Sequence, residues 1–153
     1  MEQVSLEVIG TVRNNRSSAA DRDWGAVVST IEMAPRFAAG LEGLDAFSHV
    51  LVLFHMHLDP DREPPALVRR PRGRADMPAL GVFAQRGRMR PNPVGITACE
   101  IVRVEAGRLV VRGLDAVEGT PVLDLKPYFP VLDRRDDARV PEWVNRLMEG
   151  YFG

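Results

Sequence analysis

Short runs of alternating apolar and polar residues, separated by glycine and proline, limit what this chain can fold into more than any other feature of its sequence. Alternation with a period of two is typical of a β-strand that buries one face. Seven such runs are predicted as strands, and almost no helical pattern lies between them. The predicted strands cover 4–12, 26–33, 49–56, 81–85, 94–105, 108–115 and 120–128.

The connecting segments support an all-β fold. Pro35–Leu41 is predicted as one helical turn, and Asp59–Pro78, with five of the twelve prolines, as a long exposed loop without regular structure. Glu142–Phe152 is predicted as a short amphipathic C-terminal helix. The apolar face of that helix would consist of Trp143, Leu147 and Tyr151. The pattern favours a small antiparallel or mixed β-barrel with short helical segments over β-α-β units.

Length and composition indicate one domain without disulfide or metal cross-links. The chain has 153 residues, of which 45% are hydrophobic and 27% charged, and a single cysteine. We expect one domain over residues 1–153, with a core at 4–130 and a helical tail at about 141–153. No apolar run approaches the roughly 20 residues of a membrane helix, and the first residues lack the pattern of a secretory signal. A cytoplasmic protein without membrane contact is expected.

The basic residues are almost all arginine and are unevenly distributed. Nineteen of the twenty are arginine, and Lys126 is the only lysine. Eight arginines lie between Arg62 and Arg90 against only Glu63 and Asp76, although the formal net charge of the chain is −1. Such a block is either a solvated loop or the binding surface for a polyanion such as RNA.

The three histidines do not favour a metal site. His55 and His57 have a spacing that zinc ligands on a strand can use, but His49 would lie about 20 Å from His55 along a regular strand. We therefore expect no metal. The histidines are predicted to be partly buried with hydrogen-bond partners, or His57 to line a pocket at the end of its strand.

Common catalytic and nucleotide-binding motifs are also missing. The chain has no GxSxG nucleophile elbow, no GxGxxG fingerprint and no P-loop. Cys99 lies in the middle of a predicted strand, where a buried, inert thiol is expected. A nucleotide-like cofactor would have to be bound by loops.

Two segments stand out as candidate binding loops. In the first, Pro91 and Pro93 flank Asn92 and fix its backbone, which presents the amide rigidly. In the second, Gly119-Thr120-Pro121 forms a predicted tight turn, and Asp124 and Lys126 follow on one face of a strand. Ordinary turns between strands, with a surface ion pair, explain the same patterns.

Four ordered blocks of the chain resemble one known family. They are IGTVRN at 9–14, GLEGLDAFSHVLVLFHMH at 40–57, GVFAQRGRMRPNPVGI at 81–96 and GLDAVEGTPVLDLKPY at 113–128. These segments are similar to the TsaA-like family, the TrmO-type S-adenosylmethionine (SAM)-dependent tRNA adenosine N6-methyltransferases. The resemblance implies a small dimeric β-barrel that binds SAM without a Rossmann fold. It also implies methylation of N6 of threonylcarbamoyladenosine beside the tRNA anticodon.

The resemblance also implies a set of cofactor-binding residues. By position they are His57, Arg86, Ile96, Arg112, Gly113, Leu114 and Asp115; the neighbouring Phe83, Ala84, Gln85 and Gly95 and the loop residues Asn92 and Thr120 complete the candidate set. The chain departs from the family pattern at 14–24, where many members have Pro-Arg-Gln, and at Leu58 and Gln85. Many members also have a further C-terminal domain.

The acceptor side of the site is a separate hypothesis. Asp124 is the candidate catalytic base, because an acylated N6 has a relatively acidic proton, and Lys126 and Tyr128 would orient the substrate. The residues predicted to face RNA are Arg72, Arg88 and Arg90. Two alternatives remain: SAM-dependent methylation of a small molecule or protein, and a non-catalytic dimeric SAM- or RNA-binding module.

Overall fold

Six antiparallel strands close into a barrel in the computed structural model, which describes residues 2–58 and 66–153. The strands in chain order are β1 (Gly10–Arg13), β2 (Val28–Met33), β3 (His49–His55), β4 (Val68–Arg69), β5 (Leu80–Gly81), β6 (Val94–Glu105), β7 (Arg108–Arg112) and β8 (Pro121–Pro127). The barrel order is β1-β2-β7-β6-β3-β8, and β4 pairs with β5 alone. The predicted all-β barrel is confirmed.

Short helical segments connect and follow the strands. Four 3-10 turns lie at Pro35–Leu41, Leu44–Ala46, Pro71–Gly73 and Val82–Ala84. The α-helices are α1 (Pro130–Asp133) and α2 (Glu142–Met148). None of the helices in residues 2–58 and 66–153 is both long and apolar enough to span a bilayer.

Strand β6 determines how the barrel closes. Its first half pairs with β3, from His55↔Val94 to His49↔Glu100, and its second half pairs with β7. The register shifts between Ile101 and Arg103, and a bulge of this kind lets a long strand bend around the core. One twelve-residue strand therefore spans two neighbours and helps to close the sheet.

Alternating apolar side chains fill the barrel. Val50, Val52 and Phe54 of β3 point inward and are buried, whereas Leu51 and Leu53 point outward and are half-buried. Cys99 is also inside, as expected, and burial raises the pKa of its thiol to about 12. A thiol in that environment stays protonated at neutral pH and is unreactive.

The antiparallel order places three long connections at the same end of the barrel. These connections join β1 to β2, β3 to β6 and β7 to β8, and their described residues are 14–27, 56–58 with 66–93, and 113–120. We call this the loop end. A direct contact between two of them is the 2.8 Å hydrogen bond from Asn14 Nδ2 to the carbonyl of Ala116.

Two predicted strand boundaries were wrong. The run at 4–12 forms a strand only from Gly10, because Val4, Leu6 and Val8 are exposed and have no core to pack against. The strand predicted to reach Asp115 ends at Arg112, since Gly113 has a positive φ of 85° that breaks the extended backbone.

Three further predictions need correction. Residues 81–85 form the end of β5 and a 3-10 turn instead of a strand. The supposedly irregular 59–78 loop contains β4 and a 3-10 turn and buries Pro71 and Met77; its residues 59–65 lie outside the described ones. The last helix ends at Met148, and the left-handed Gly150 (φ 69°) turns the chain back, so Tyr151 is not on the helix.

Gly95 is the position where a side chain would damage the barrel most directly. A Cβ there would lie 2.4 Å from the ring of Phe54, which is buried in the core. We expect Gly95→Ala to lower the free energy of unfolding by about 1–3 kcal/mol, through overpacking. Urea denaturation measures this. Gly87→Ala is the control, since nothing lies within 4 Å of its Cβ position, and equal stability of the two variants would contradict the prediction.

Candidate functional site

Most of the predicted cofactor-binding residues gather at the loop end. They come from the 56–93 and 113–120 connections and from the adjoining ends of β6 and β7, which are close together although distant in sequence. Closure of the barrel brings these segments together. No local sequence pattern predicts that they meet.

Asp115 has the most complete set of contacts in this region. Its Oδ1 accepts a hydrogen bond from the Thr97 hydroxyl, and its Oδ2 accepts one of 2.6 Å from the Tyr151 hydroxyl. Burial and the nearby Asp115 charge raise the pKa of Tyr151, so this phenol remains a donor. Within residues 2–58 and 66–153 no arginine or lysine forms an ion pair with Asp115. The side-chain donors to its carboxylate within those residues are the neutral hydroxyls of Thr97 and Tyr151.

The 82–93 loop is braced from within. The Gln85 amide donates to the carbonyls of Arg69 (2.8 Å) and Leu80 (2.9 Å), which ties this loop to the β4–β5 pair. Arg90 donates to the carbonyl of Gln85 at 2.8 Å. Arg86 donates to the carbonyl of Ile96 at 2.8 Å, so its guanidinium lies against the first residues of β6.

Several predicted cofactor-binding residues of that loop are accessible. Asn92 has an exposed side chain, and its carbonyl accepts a 2.8 Å hydrogen bond from the Val94 amide. Phe83 is 78% exposed, which is unusual for a large aromatic side chain. Ala84 beside it is exposed as well. These groups can contact a ligand without any change in the core.

His57 carries an unsatisfied polar atom. Its Nδ1 is buried and has no hydrogen-bond partner among the described residues. The histidines were expected to have hydrogen-bond partners. His49 has one, since its Nδ1 lies 2.8 Å from Ser48 Oγ, whereas Nδ1 of His57 has none among the described residues. A buried polar atom without a partner is costly, and it often marks the position of a missing ligand or water.

Several of the predicted cofactor-binding residues also have structural roles. Leu114 and Thr120 are buried, and Leu114 belongs to the hydrophobic core. Gly113 adopts a left-handed conformation, and Gly95 makes room for Phe54. Ile96 points outward and is 44% exposed, and Arg112 pairs with Glu100 at 2.9 Å.

The acceptor residues are spread along β8. Asp124 and Lys126 form an ion pair of 2.9 Å on the outer face, as the strand parity predicts. Tyr128, however, donates its backbone amide to His49 at the start of β3, so it lies at the opposite end of the barrel from Thr120. A single chain does not bring Tyr128 to the loop end.

Part of the arginine block is neutralised locally. Arg72 lies 3.4 Å from Asp21, and Arg74 pairs with Asp76 at 2.7 Å. Arg88 and Arg90 also take part in further interactions. The positive surface is therefore smaller than the sequence count of eight arginines indicates. No group of three metal-ligating side chains occurs in the part of the chain that the structure describes.

Sequence reasoning missed three residues of this region. Tyr151 was assigned to a helix face, and Thr97 to an ordinary strand, yet both donate to Asp115. Trp24 is buried in the 14–27 connection, with Arg16 stacked 4.1 Å above its ring. A tryptophan in an otherwise polar loop was the available signal, whereas nothing in the sequence links positions 115 and 151.

Comparison with known proteins identifies the family. The model for the tRNA-methyltransferase O N-terminal domain matches residues 19–134. The tRNA (adenine(37)-N6)-methyltransferase of Escherichia coli is 37% identical over 151 residues, which are 90% of this chain and 63% of that protein. An S-adenosyl-L-methionine-binding protein of Archaeoglobus fulgidus is 36% identical over 84% of this chain and 91% of its own length.

Solved structures agree with this result. The crystal structure of TrmO from Pseudomonas aeruginosa has a TM-score of 0.73 and 35% identity, and the match covers 90% of this chain and 61% of that one. The chain spans 50% of the length of a putative S-adenosylmethionine-dependent methyltransferase of Pseudomonas aeruginosa, to which it is 44% identical over 116 residues. On the family model and these relatives together, the chain belongs to the tRNA-methyltransferase O N-terminal domain family.

Proposed function

We propose that this protein is a SAM-dependent methyltransferase that acts on tRNA, with N6 of threonylcarbamoyladenosine beside the anticodon as the acceptor. The observation that carries the proposal is the grouping of the predicted cofactor-binding residues at the loop end around Asp115, whose carboxylate forms no ion pair among the described residues. The names of the relatives support the reaction, because they include a SAM-binding protein and a tRNA adenine-N6-methyltransferase.

The residues at the loop end fit SAM chemically. SAM supplies a methyl group on a positively charged sulfonium, together with an ammonium group and an adenine ring. Among the described residues Asp115 forms no ion pair and the buried Nδ1 of His57 has no hydrogen-bond partner, while exposed Phe83 offers a surface for an aromatic ring. Arg86, beside the Ile96 carbonyl, can bind the carboxylate of the ligand.

Methyl transfer to N6 also needs a base and orientation of the acceptor. Asp124 is the proposed base, and the Lys126 ammonium lies 2.9 Å from its carboxylate. Lys126 and Tyr128 would orient the threonylcarbamoyl carboxylate or a phosphate. These three residues and the cofactor-binding loops contribute mainly by fixing the geometry of transfer, which is a large part of catalysis in such reactions.

The position of Tyr128 favours a homodimer. Tyr128 lies at the far end of the barrel in one chain. For Tyr128 to orient the substrate, a second copy of the chain must bring it to a loop end. The outer face of β3 and β6 provides an apolar surface for such contact. Its residues are Leu51, Leu53, Val94, Ile96 and Ala98. We propose that the protein works as a homodimer in the cytoplasm.

A two-step assay tests the function. Calorimetry with SAM should detect binding, and labelled SAM should then transfer methyl to tRNA that carries threonylcarbamoyladenosine but not to tRNA that lacks it. Transfer to a small molecule or protein alone would favour SAM-dependent methylation of that acceptor instead of tRNA. SAM binding without any transfer would favour a non-catalytic binding module. Absence of SAM binding would refute the proposal as a whole.

The proposed RNA surface can be tested at Arg88 and Arg90. We expect Arg88→Ala with Arg90→Ala to weaken tRNA binding about tenfold or more and to reduce the salt dependence of binding by about two phosphate contacts. Filter binding at several salt concentrations measures both. Arg103→Ala with Arg108→Ala, on the two sides of the β6–β7 turn at the opposite end of the barrel, removes the same charge and should have little effect. Equal losses in both pairs would point to net charge alone.

The proposed base predicts a specific defect in Asp124→Asn. We expect the methyl-transfer rate to fall about 10²–10⁴-fold, with SAM affinity unchanged, because a positioned base contributes that much to catalysis. Single-turnover kinetics measures the chemical step. Asp136→Asn, which removes another exposed ion-paired carboxylate, is the control. Wild-type turnover by Asp124→Asn would exclude this residue as the base.

A further inference from the structure

The residues after the last helix fold back onto the loop end. We define Gly150–Phe152 as the strap. It pairs with the 14–27 connection through three backbone hydrogen bonds: the amides of Asp23, Trp24 and Gly25 donate to the carbonyls of Gly150, Tyr151 and Phe152, at 3.0, 2.9 and 3.0 Å. Two segments that are about 125 residues apart in sequence are joined in this way.

Side chains make this pairing specific. A Cβ on Gly25 would lie 2.0 Å from the Phe152 carbonyl oxygen, so only glycine admits the strap at this distance. Trp24 is 1% exposed, and its indole donates to the carbonyl of Ala20 at 2.6 Å. Release of the strap would break three backbone hydrogen bonds, which favours a fixed element over a movable lid.

The strap carries Tyr151 to Asp115. The phenol donates to Asp115 Oδ2 at 2.6 Å, while the Thr97 hydroxyl occupies Oδ1 from inside the barrel. Two donors on different oxygens fix the plane of the carboxylate. Because both donors are neutral, they orient the carboxylate and leave its negative charge in place. A cationic partner would cancel that charge. The Arg72 guanidinium lies 5.7 Å from the centre of the Tyr151 ring, on the side of the arginine block.

We propose that Tyr151 is a positioning residue of the cofactor site: through its hydroxyl the strap holds the Asp115 carboxylate in the orientation that binds the cationic part of SAM. This inference rests on the proposed function. It also gives the divergent 14–24 segment a role, because its end is attached to the strap and therefore to the same carboxylate. The ring packs against Phe152, with centroids 5.0 Å apart, so removal of the hydroxyl leaves the packing intact.

Tyr151→Phe tests the hydroxyl alone. The variant loses the hydrogen bond from Tyr151 to the Asp115 carboxylate, and bonds to charged groups are among the stronger ones. We therefore expect the Kd and KM for SAM to rise about tenfold. The kcat at saturating SAM and the KM for tRNA should stay within about twofold of wild type. Calorimetry and steady-state kinetics measure these values. Val131→Ala, at an 84% exposed position, is the control and should leave all of them unchanged.

Gly25→Ala tests the strap with the tyrosine retained. The added methyl displaces the Phe152 carbonyl, so SAM affinity should fall at least as much as in Tyr151→Phe. Circular dichroism confirms that each variant is folded before binding is measured. Should Tyr151→Phe fail to fold, the result for Gly25→Ala decides the question.

The outcomes separate two failures. Wild-type affinity for SAM in folded Tyr151→Phe or folded Gly25→Ala would overturn the positioning role. A general loss, in which kcat falls and the KM for tRNA rises along with the KM for SAM, would make Tyr151 merely structural. If the wild-type protein itself binds no SAM, the proposed function fails before the role of Tyr151 is addressed.

Discussion

Closure of the six-stranded barrel is the constraint on which the rest of this structure depends. Strand β6 pairs with β3 along its first half and with β7 along its second, and the bulge between Ile101 and Arg103 lets it bend. Because all neighbouring strands are antiparallel, closure places the three long connections at one end. The family-matched residues meet there without a Rossmann unit, so the loops themselves form the candidate site.

Electrostatics gives this end of the barrel its character. Asp115 is held by the hydroxyls of Thr97 and Tyr151 and forms no ion pair within the described part of the chain. In contrast, Asp124 is paired with Lys126, and Arg72 and Arg74 lie beside carboxylates. A negative group with neutral donors next to a partly neutralised arginine surface suits a cationic cofactor and an anionic RNA, the two partners of the proposed reaction.

The sequence predictions were accurate for strands that pack against the core and less accurate elsewhere. The hairpin of β6 and β7 was predicted closely, because alternation on a half-buried strand is a local signal and Gly107, with φ 69°, permits the turn. Predictions failed where alternation had no core to pack against, as at Val4 and Leu6, or where a left-handed glycine redirected the chain, as at Gly113 and Gly150.

By itself the sequence determined the all-β class, the strand faces and the shared face of Asp124 and Lys126, since these depend on residues one or two positions apart. Only the tertiary structure decided that Tyr151 leaves the helix and reaches Asp115, that Tyr128 lies at the far end, and that His57 Nδ1 is buried with no partner among the described residues. Such contacts join residues far apart in the chain, and barrel closure fixes them through packing that no local pattern encodes.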